Sequence, residues 1–337
     1  MTQARPIRVG VIGLHFGAQV HVPAFRRDAR CIVAALAGRT PDRTAAVAAE
    51  IGVPGAYGDW RALLSEGAVD AVSIAVPPSE QPAVIIEAAR RGIHVFCEKP
   101  LASTVDSAAE AVAAIRTSGV VHAIDFIFPE IPAWRRAQEL LRAGAIGAVR
   151  HFSYVWRIAT RSSRVADSWK SRSEEGGGVV LNLVSHVVFN IEWLLGTMAS
   201  VDVTRPRNGR SAASFFDCVM YLENGIHGSV SVATDAYLGE GHRVTVFGDS
   251  GTIVLSNQTT DYASGFEVSV GTRANRHLDV VHRDAGSPGV DGRIAPVGSI
   301  AARFLDAIGG SGEAAPGLQD GLRVQRWLQH MNDAIGH

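Results

Sequence analysis

The sequence predicts an α/β domain with a Rossmann-like, doubly wound parallel sheet, joined to an α+β domain with an open-faced, mostly antiparallel sheet and helices. Three observations predict it. The first third alternates short apolar runs with helical stretches of about 10 to 15 residues, the pattern of right-handed βαβ units. Beyond about residue 124 hairpin signals take over. The length, 337 residues, suits roughly two domains at about 150 residues each.

Each element follows from its local pattern. Residues 7–12 are a compact apolar strand, 20–27 begin the next helix, and 32–37 form a second strand. A helix over 41–51 places its alanines and Ile51 on one face. Residues 70–76 (DAVSIAV) read as a third strand, 81–91 as a helix, 94–97 as a fourth strand, 104–117 as a helix and 121–126 as a fifth strand. These runs suit a parallel sheet covered on both faces. Residues 134–143 form an amphipathic helix, 149–158 (VRHFSYVWRI) alternate as a strand, and 178–195 read as a helix. Strands 216–222 and 228–233 flank Glu223-Asn224-Gly225, and 244–247 and 252–255 flank Gly248-Asp249-Ser250-Gly251. Asn-Gly and Asp-Ser-Gly supply the positive φ that tight hairpins need. A helix over 318–335 closes the chain, while 259–296 is polar, Gly-rich and without a readable element. The expected domains are 1–124, of dinucleotide-binding type, and 125–337, for substrate and oligomerisation, with a ligand cleft between them.

Composition excludes several classes of function. Thirty-two Lys plus Arg against 33 Asp plus Glu leave a net charge of −1, which gives no case for nucleic acid or an anionic membrane as partner. Cys31, Cys97 and Cys218 are isolated, so neither a disulfide framework nor a metal site is expected. The first residues lack a signal-peptide pattern, and no apolar stretch approaches the roughly 20 residues that span a bilayer. The expected compartment is the cytoplasm.

Five constellations carry chemistry. Gly13-Leu14-His15-Phe16-Gly17-Ala18 ends the first strand and opens a helix, where a tight turn lets a pyrophosphate meet backbone N–H groups. His15 occupies the second glycine position of G-x-G-x-x-G/A; it either swings out to bond phosphate or obstructs the dinucleotide. After the second strand, Gly38-Arg39-Thr40 offers a small residue, a cation and a hydroxyl rather than an acid, which favours the 2′-phosphate of NADP(H) over NAD(H). Val76-Pro77-Pro78 follows the third strand and Glu98-Lys99-Pro100 the fourth. Both lie at carboxyl ends of parallel strands, where such sheets bind ligands. Lys99, held between Glu98 and a proline, is a rigidly placed cation. Finally, Asn182, Ser185 and His186 share a helical face behind Gly176-Gly177-Gly178, which makes His186 an acid/base candidate.

Together these segments resemble the glucose-fructose oxidoreductase and inositol dehydrogenase (Gfo/Idh/MocA) family. The likeness rests on the Gly-rich opening followed by Val20-His21-Val22-Pro23-Ala24, the Gly92 to Leu101 segment containing EKP, Gly144-Ala-Ile-Gly147, Trp169 and the GGG-to-His186 helix. It extends through Phe247 to Thr252 and Gly317 to Val324. The resemblance implies a nicotinamide-dependent oxidoreductase acting on a sugar, cyclitol or sugar nucleotide, with Lys99 beside the reacting carbon–oxygen bond and His186 as general acid/base. It also implies a homodimer or homotetramer formed through the C-terminal sheet. Asn182 and Asn190 stand where members usually or often carry an acid, and Phe128 where they often carry Arg.

The expected reaction is reversible hydride transfer between NADP(H) and a secondary alcohol or ketone, with Lys99 polarising the oxygen, His186 moving the proton and Asn182 orienting the imidazole or a substrate hydroxyl. Tyr154, Arg157, Arg161, Trp169 and Ser185 are the candidates for the substrate side. Two other readings stay open from sequence: a redox-neutral elimination, hydrolysis or epimerisation on a tightly held dinucleotide, and a non-catalytic cofactor-binding regulator.

Overall fold

The computed structural model describes residues 5–159, 177–204, 214–286 and 289–335. Arg161 and Trp169, two of the expected substrate-side residues, lie outside the described residues, as does Gly176. The chain divides into two compact units, Met1–Phe126 with Arg293–Gln325 and Ile127–Gly292 with Arg326–His337.

In the first unit, β1 (Ile7–Ile12), β2 (Cys31–Ala37), β3 (Gly55–Tyr57), β4 (Ala71–Ile74), β5 (His94–Cys97) and β6 (His122–Ile124) form a parallel sheet in the order β3-β2-β1-β4-β5-β6. All four residues of β4 and the last three of β5 are buried, as expected for strands covered on both faces. A π-helical turn (Gly17–His21) runs into α1 (Val22–Phe25), followed along the chain by α2 (Pro41–Glu50), α3 (Trp60–Glu66), α4 (Gln81–Arg90) and α5 (Val105–Ser118). Asp59 caps α3 by accepting from the Arg61 amide, and Thr104 caps α5 by accepting from Ser107. The sequence shows no periodic signal for β3 or α3, because the GAYGDW stretch interrupts any alternation. Ile12 pairs with Ala37 on one side and Ile74 on the other, so Gly13, Gly38 and Ala75 end their strands level. The strand order reverses between β1 and β4, which puts a crevice at those carboxyl ends.

The second unit opens with α6 (Pro132–Arg142) and is built on an eight-stranded sheet. Its first strand is β7 (Val149–Arg157); a second π-helical turn (Val180–Val184) then leads into α7 (Ser185–Leu195). There follow β8 (Met198–Val203), β9 (Phe215–Leu222), β10 (His227–Ala233), β11 (Gly241–Gly248), β12 (Gly251–Asn257), β13 (Glu267–Thr272) and β14 (Asp279–Arg283). The order is β14-β13-β12-β11-β7-β10-β9-β8, antiparallel except where β10 runs parallel to β7. Alternation sorts β7 cleanly: Phe152, Tyr154 and Trp156 are buried, while Ser153, Val155 and Arg157 stay partly exposed on the other face. Both expected hairpins are present. The first turns on Gly225 at φ 84, with Asn224 accepting from the Ile226 amide. The unread stretch 259–296 holds β13, β14 and the start of α8 (Ile294–Ile308), which returns to the first unit and sets Phe304 edge-on to Phe96 at 5.9 Å. The last helix is α9 (Leu318–Ile335). Among the described residues, no helix is long and apolar enough to cross a membrane.

Candidate functional site

At the β1 end of the first unit, Gly13 adopts φ +126, and a Cβ there would fall inside van der Waals distance of the Ala75 carbonyl oxygen. Only glycine lets the β1 and β4 ends close on each other this way. Gly17 lies against Val11, and a Cβ on Gly38 would stand 2.7 Å from Leu14 and from Thr44 Oγ1. Ala18 is buried and Phe16 half-buried, with the Arg293 guanidinium 4.9 Å above its ring. His15 is exposed and reaches outward, its Nε2 3.4 Å from Arg43 on α2. Arg39, 81% exposed, lies 3.4 Å from Glu80, and Thr40 is the N-cap residue of α2. Val76 and Pro77 line the loop after β4, where Pro77 accepts from the Glu80 amide; Pro78 is buried. Arg43 and Glu80 carried no signal in the sequence, since a helix-face arginine and a loop glutamate are ordinary surface residues.

The β5 end carries Glu98-Lys99-Pro100, with the Lys99–Pro100 bond cis and the Pro100 carbonyl accepting from Gln81 Nε2 at 2.6 Å. Behind it lies a polar cluster that the sequence reading did not assign. His21, wholly buried in the π-helical turn, shares a hydrogen bond through Nδ1 with Ser73 Oγ at 2.7 Å and through Nε2 with Glu98 Oε1 at 3.1 Å. Asp125 Oδ2 is 3.6 Å from the same Nε2. One nitrogen or carboxylate oxygen from each of the three residues lies within 4.8 Å of the others.

Burial works against a charged His21, but the two carboxylates more than offset it and raise its pKa to about 9. Burial and the neighbouring Glu98 charge push Asp125 up to about 8. Burial also acts to raise Glu98, yet the hydrogen bond and charge of His21, with Lys99 beside it, hold it below the usual range. His21 adds stability that is complete below its unfolded value near 6.5 and lost as pH rises through about 9. Asp125 keeps in the fold a proton that the unfolded chain releases near 3.8, so its share of stability also falls, up to about pH 8. Each retained proton is worth at most about 1.4 kcal/mol per pH unit. Urea unfolding of wild type and Asp125→Asn from pH 6 to 9 should therefore give a steeper decline for wild type; parallel curves would contradict this assignment.

In the second unit, Asn182 lies half-buried in the π-helical turn, and Ser185 and His186 are buried at the start of α7. The Ser185 hydroxyl turns back to donate to the Asn182 carbonyl at 3.3 Å. The His186 ring meets Phe128 edge-on at 4.9 Å and lies 6.1 Å from Trp156. Tyr154 is wholly buried; its hydroxyl accepts from Asn190 Nδ2 at 3.1 Å and is shared with His242 Nε2 at 2.7 Å. Burial pushes the Tyr154 phenol up and His242 down to about 3, so both are neutral. His242, unread in the sequence, stacks on Trp156 at 4.4 Å. Arg157, on the open face, donates to Ser231 Oγ at 2.8 Å and pairs with Glu240.

The profile of the GFO_IDH_MocA oxidoreductase family, NAD-binding Rossmann fold, matches residues 7–126, and that of the GFO/IDH/MocA C-terminal domain matches 134–254. The chain belongs to the Gfo/Idh/MocA family. As a member, it is an oxidoreductase whose first unit is a nicotinamide-dinucleotide-binding domain. An uncharacterized oxidoreductase of Synechocystis sp. is 28% identical to it over 96% of this chain and 93% of its own length. D-xylose 1-dehydrogenase (NADP(+)) 2 of Haloferax volcanii is 33% identical over 58% of this chain and 59% of its own. Levoglucosan dehydrogenase, solved in complex with NADH and levoglucosan, shares the fold at a TM-score of 0.86 and 21% identity, covering 98% of this chain and 97% of that one.

Proposed function

We propose that this Gfo/Idh/MocA oxidoreductase transfers a hydride between NADP(H), in preference to NAD(H), and a secondary alcohol or ketone of a sugar-like substrate. The observation that carries the reading is Lys99, set by Glu98 at the carboxyl end of β5 in a sheet whose order reverses at β1 and β4. The residues present fit a dinucleotide. Gly13 and Gly38, without a Cβ, let the β1 and β2 ends pack close against Ala75, Leu14 and Thr44, and the His15 side chain extends toward Arg43. Bound there, the dinucleotide supplies or takes the hydride. Lys99 polarises the substrate oxygen as charge develops on it, and His186 gives the proton in reduction and takes it in oxidation. Asn182 cannot ionise, so it orients rather than carries charge. The D-xylose dehydrogenase relative supports a sugar as substrate. Pairing of copies through the open face of the sheet is part of the same reading, with Phe215 and Tyr221 exposed on β9.

The preference for NADP(H) rests on Arg39 and Thr40. The Arg39–Glu80 pair is exposed and weak, so a 2′-phosphate replaces Glu80 at little cost. In a fluorescence titration NADPH should bind more tightly than NADH, and Arg39→Ala should weaken NADPH about tenfold or more while leaving NADH nearly unchanged. Equal affinities in wild type would remove the preference, and binding of neither would remove the oxidoreductase reading.

A further inference from the structure

Asp125 is 1% exposed, and among the described residues neither of its carboxylate oxygens has a hydrogen-bond partner at full bonding distance. An ionised carboxylate cannot be kept dry and unpaired without large cost, so this group sheds its charge by holding a proton or is balanced by a cation. The adjacent cation is His21, whose two ring nitrogens already face Ser73 Oγ and Glu98 Oε1. A protonated Asp125 can in turn donate to Glu98, whose charge, with burial, favours the proton on Asp125. Glu98 is joined to Lys99 by one peptide bond and senses the charge of its ammonium.

We propose that His21, Glu98 and Asp125 form a buried proton store whose charge is felt by Lys99, which makes Asp125 a positioning residue for the lysine. The inference rests on the catalytic reading of Lys99 only for its consequence in turnover. Two protons are shared among three sites at neutral pH: imidazolium, carboxylate and carboxylic acid, with no net charge. As pH rises the store releases both protons to solvent and becomes doubly negative. The ammonium of Lys99 is then held protonated to higher pH than it would be alone.

Among the described residues, Cys97 and the other titratable groups on the π-helical turn, α1 and α8 do not supply this charge. Cys97 is buried beside both carboxylates, and burial pushes its thiol well up, so it stays neutral. The π-helical turn that carries His21 and the following α1 contribute no other charged side chain. Packed against them, α8 directs Arg303 to the Ala315 carbonyl and Asp306 to Arg30, while Arg293, its N-cap residue, lies over Phe16.

Lys99 and Lys170 are the only lysines in the chain, so protein labelled with ε-¹³C lysine gives two signals, assigned with Lys170→Arg. Titrating the full-length protein by NMR should show Lys99 losing its proton about one pH unit lower in Asp125→Asn than in wild type. In His21→Gln the store is still doubly negative when Lys99 titrates, so the same midpoint should stay within a few tenths of a pH unit of wild type. In ¹³C-histidine-labelled wild type, the signal missing from His21→Gln should remain that of an imidazolium above pH 8. A merely structural role would leave the Lys99 midpoint of Asp125→Asn at the wild-type value. The proposal is overturned if His21 titrates near its ordinary value, or if Lys99 titrates alike in all folded variants. Retention of a stoichiometric divalent metal that Asp125→Asn releases would also overturn it, since the charge would then be the metal's. Should Asp125→Asn not fold, Glu98→Gln, which also takes one negative charge out of the store, should lower the Lys99 midpoint in its place, and an unshifted midpoint there overturns the proposal. None of these readouts needs a substrate. Failure of both NADPH and NADH to bind would defeat the oxidoreductase reading and leave this one standing.

Discussion

Lys99→Ala is expected to lower kcat by about 10²-fold or more, with NADPH still binding at near wild-type affinity. The expected size follows from what a single well-placed donor contributes where negative charge develops on oxygen, about 10² to 10³. The lysine sits on a loop held by the Glu98 amide bonded to the Ile74 carbonyl and by Gln81 on the Pro100 carbonyl, so removing its side chain leaves the strand ends in place. His186→Ala should cost a comparable factor through loss of the proton donor, roughly 10² to 10⁴. If the two residues serve one transition state, the double variant should lose less than the product of the single losses. Steady-state kinetics on a D-xylose or ketosugar panel, beside NADPH titrations of each variant, provides the check. Near-normal turnover in both single variants would end the role assignment, whereas loss of NADPH binding would show that Lys99 holds cofactor instead.

How much of this was readable from sequence depended on whether a residue's role is local. The Gly13 turn, the EKP loop and the helix carrying His186 lie in short segments whose patterns announce them. Residues 94–97 and 318–335 coincide with the β5 and α9 bounds, because apolar runs with clear punctuation fix their ends. His21 and Asp125 were visible too, as a histidine between Val20 and Val22 and an acid inside Ile124-Asp125-Phe126-Ile127. What the sequence withheld is that β6 and the π-helical turn bring them to one place from 104 residues apart, a tertiary fact with no local pattern. Tyr154 shows the opposite failure. An aromatic with a hydroxyl suggests a substrate contact, but the alternation of β7 turns it inward to Asn190 and His242. In 259–296, β13 and β14 are held by cross-strand pairing with β12 and each other, which composition alone does not reveal.

Phe128→Arg is expected to unfold the second unit, at a cost above about 4 kcal/mol. Members of this family often carry arginine at this position, which makes the substitution look conservative from sequence alone. The packing says otherwise. Phe128 is fully buried at the centre of a ring cluster, 5.1 Å from Trp134, 5.5 Å from Trp156, 4.9 Å from His186 and 5.2 Å from His242. A guanidinium placed there would meet aromatic faces and a neutral imidazole with no carboxylate among these neighbours, and would pay the desolvation of an unpaired charge. Phe128→Ala loses packing alone and should cost about 3 to 5 kcal/mol, and Phe128→Leu less than either. Urea denaturation followed by near-UV circular dichroism, which reports the tryptophans of this cluster, gives the ranking. If Phe128→Arg retains the wild-type spectrum and midpoint, the site can open toward solvent and an arginine-like role is available to it. If the ranking holds, the aromatic wall beside His186 is a fixed part of this chain's second unit, and the proton transfer proposed for His186 would start from an imidazole packed against Phe128 rather than one paired with a neighbouring arginine.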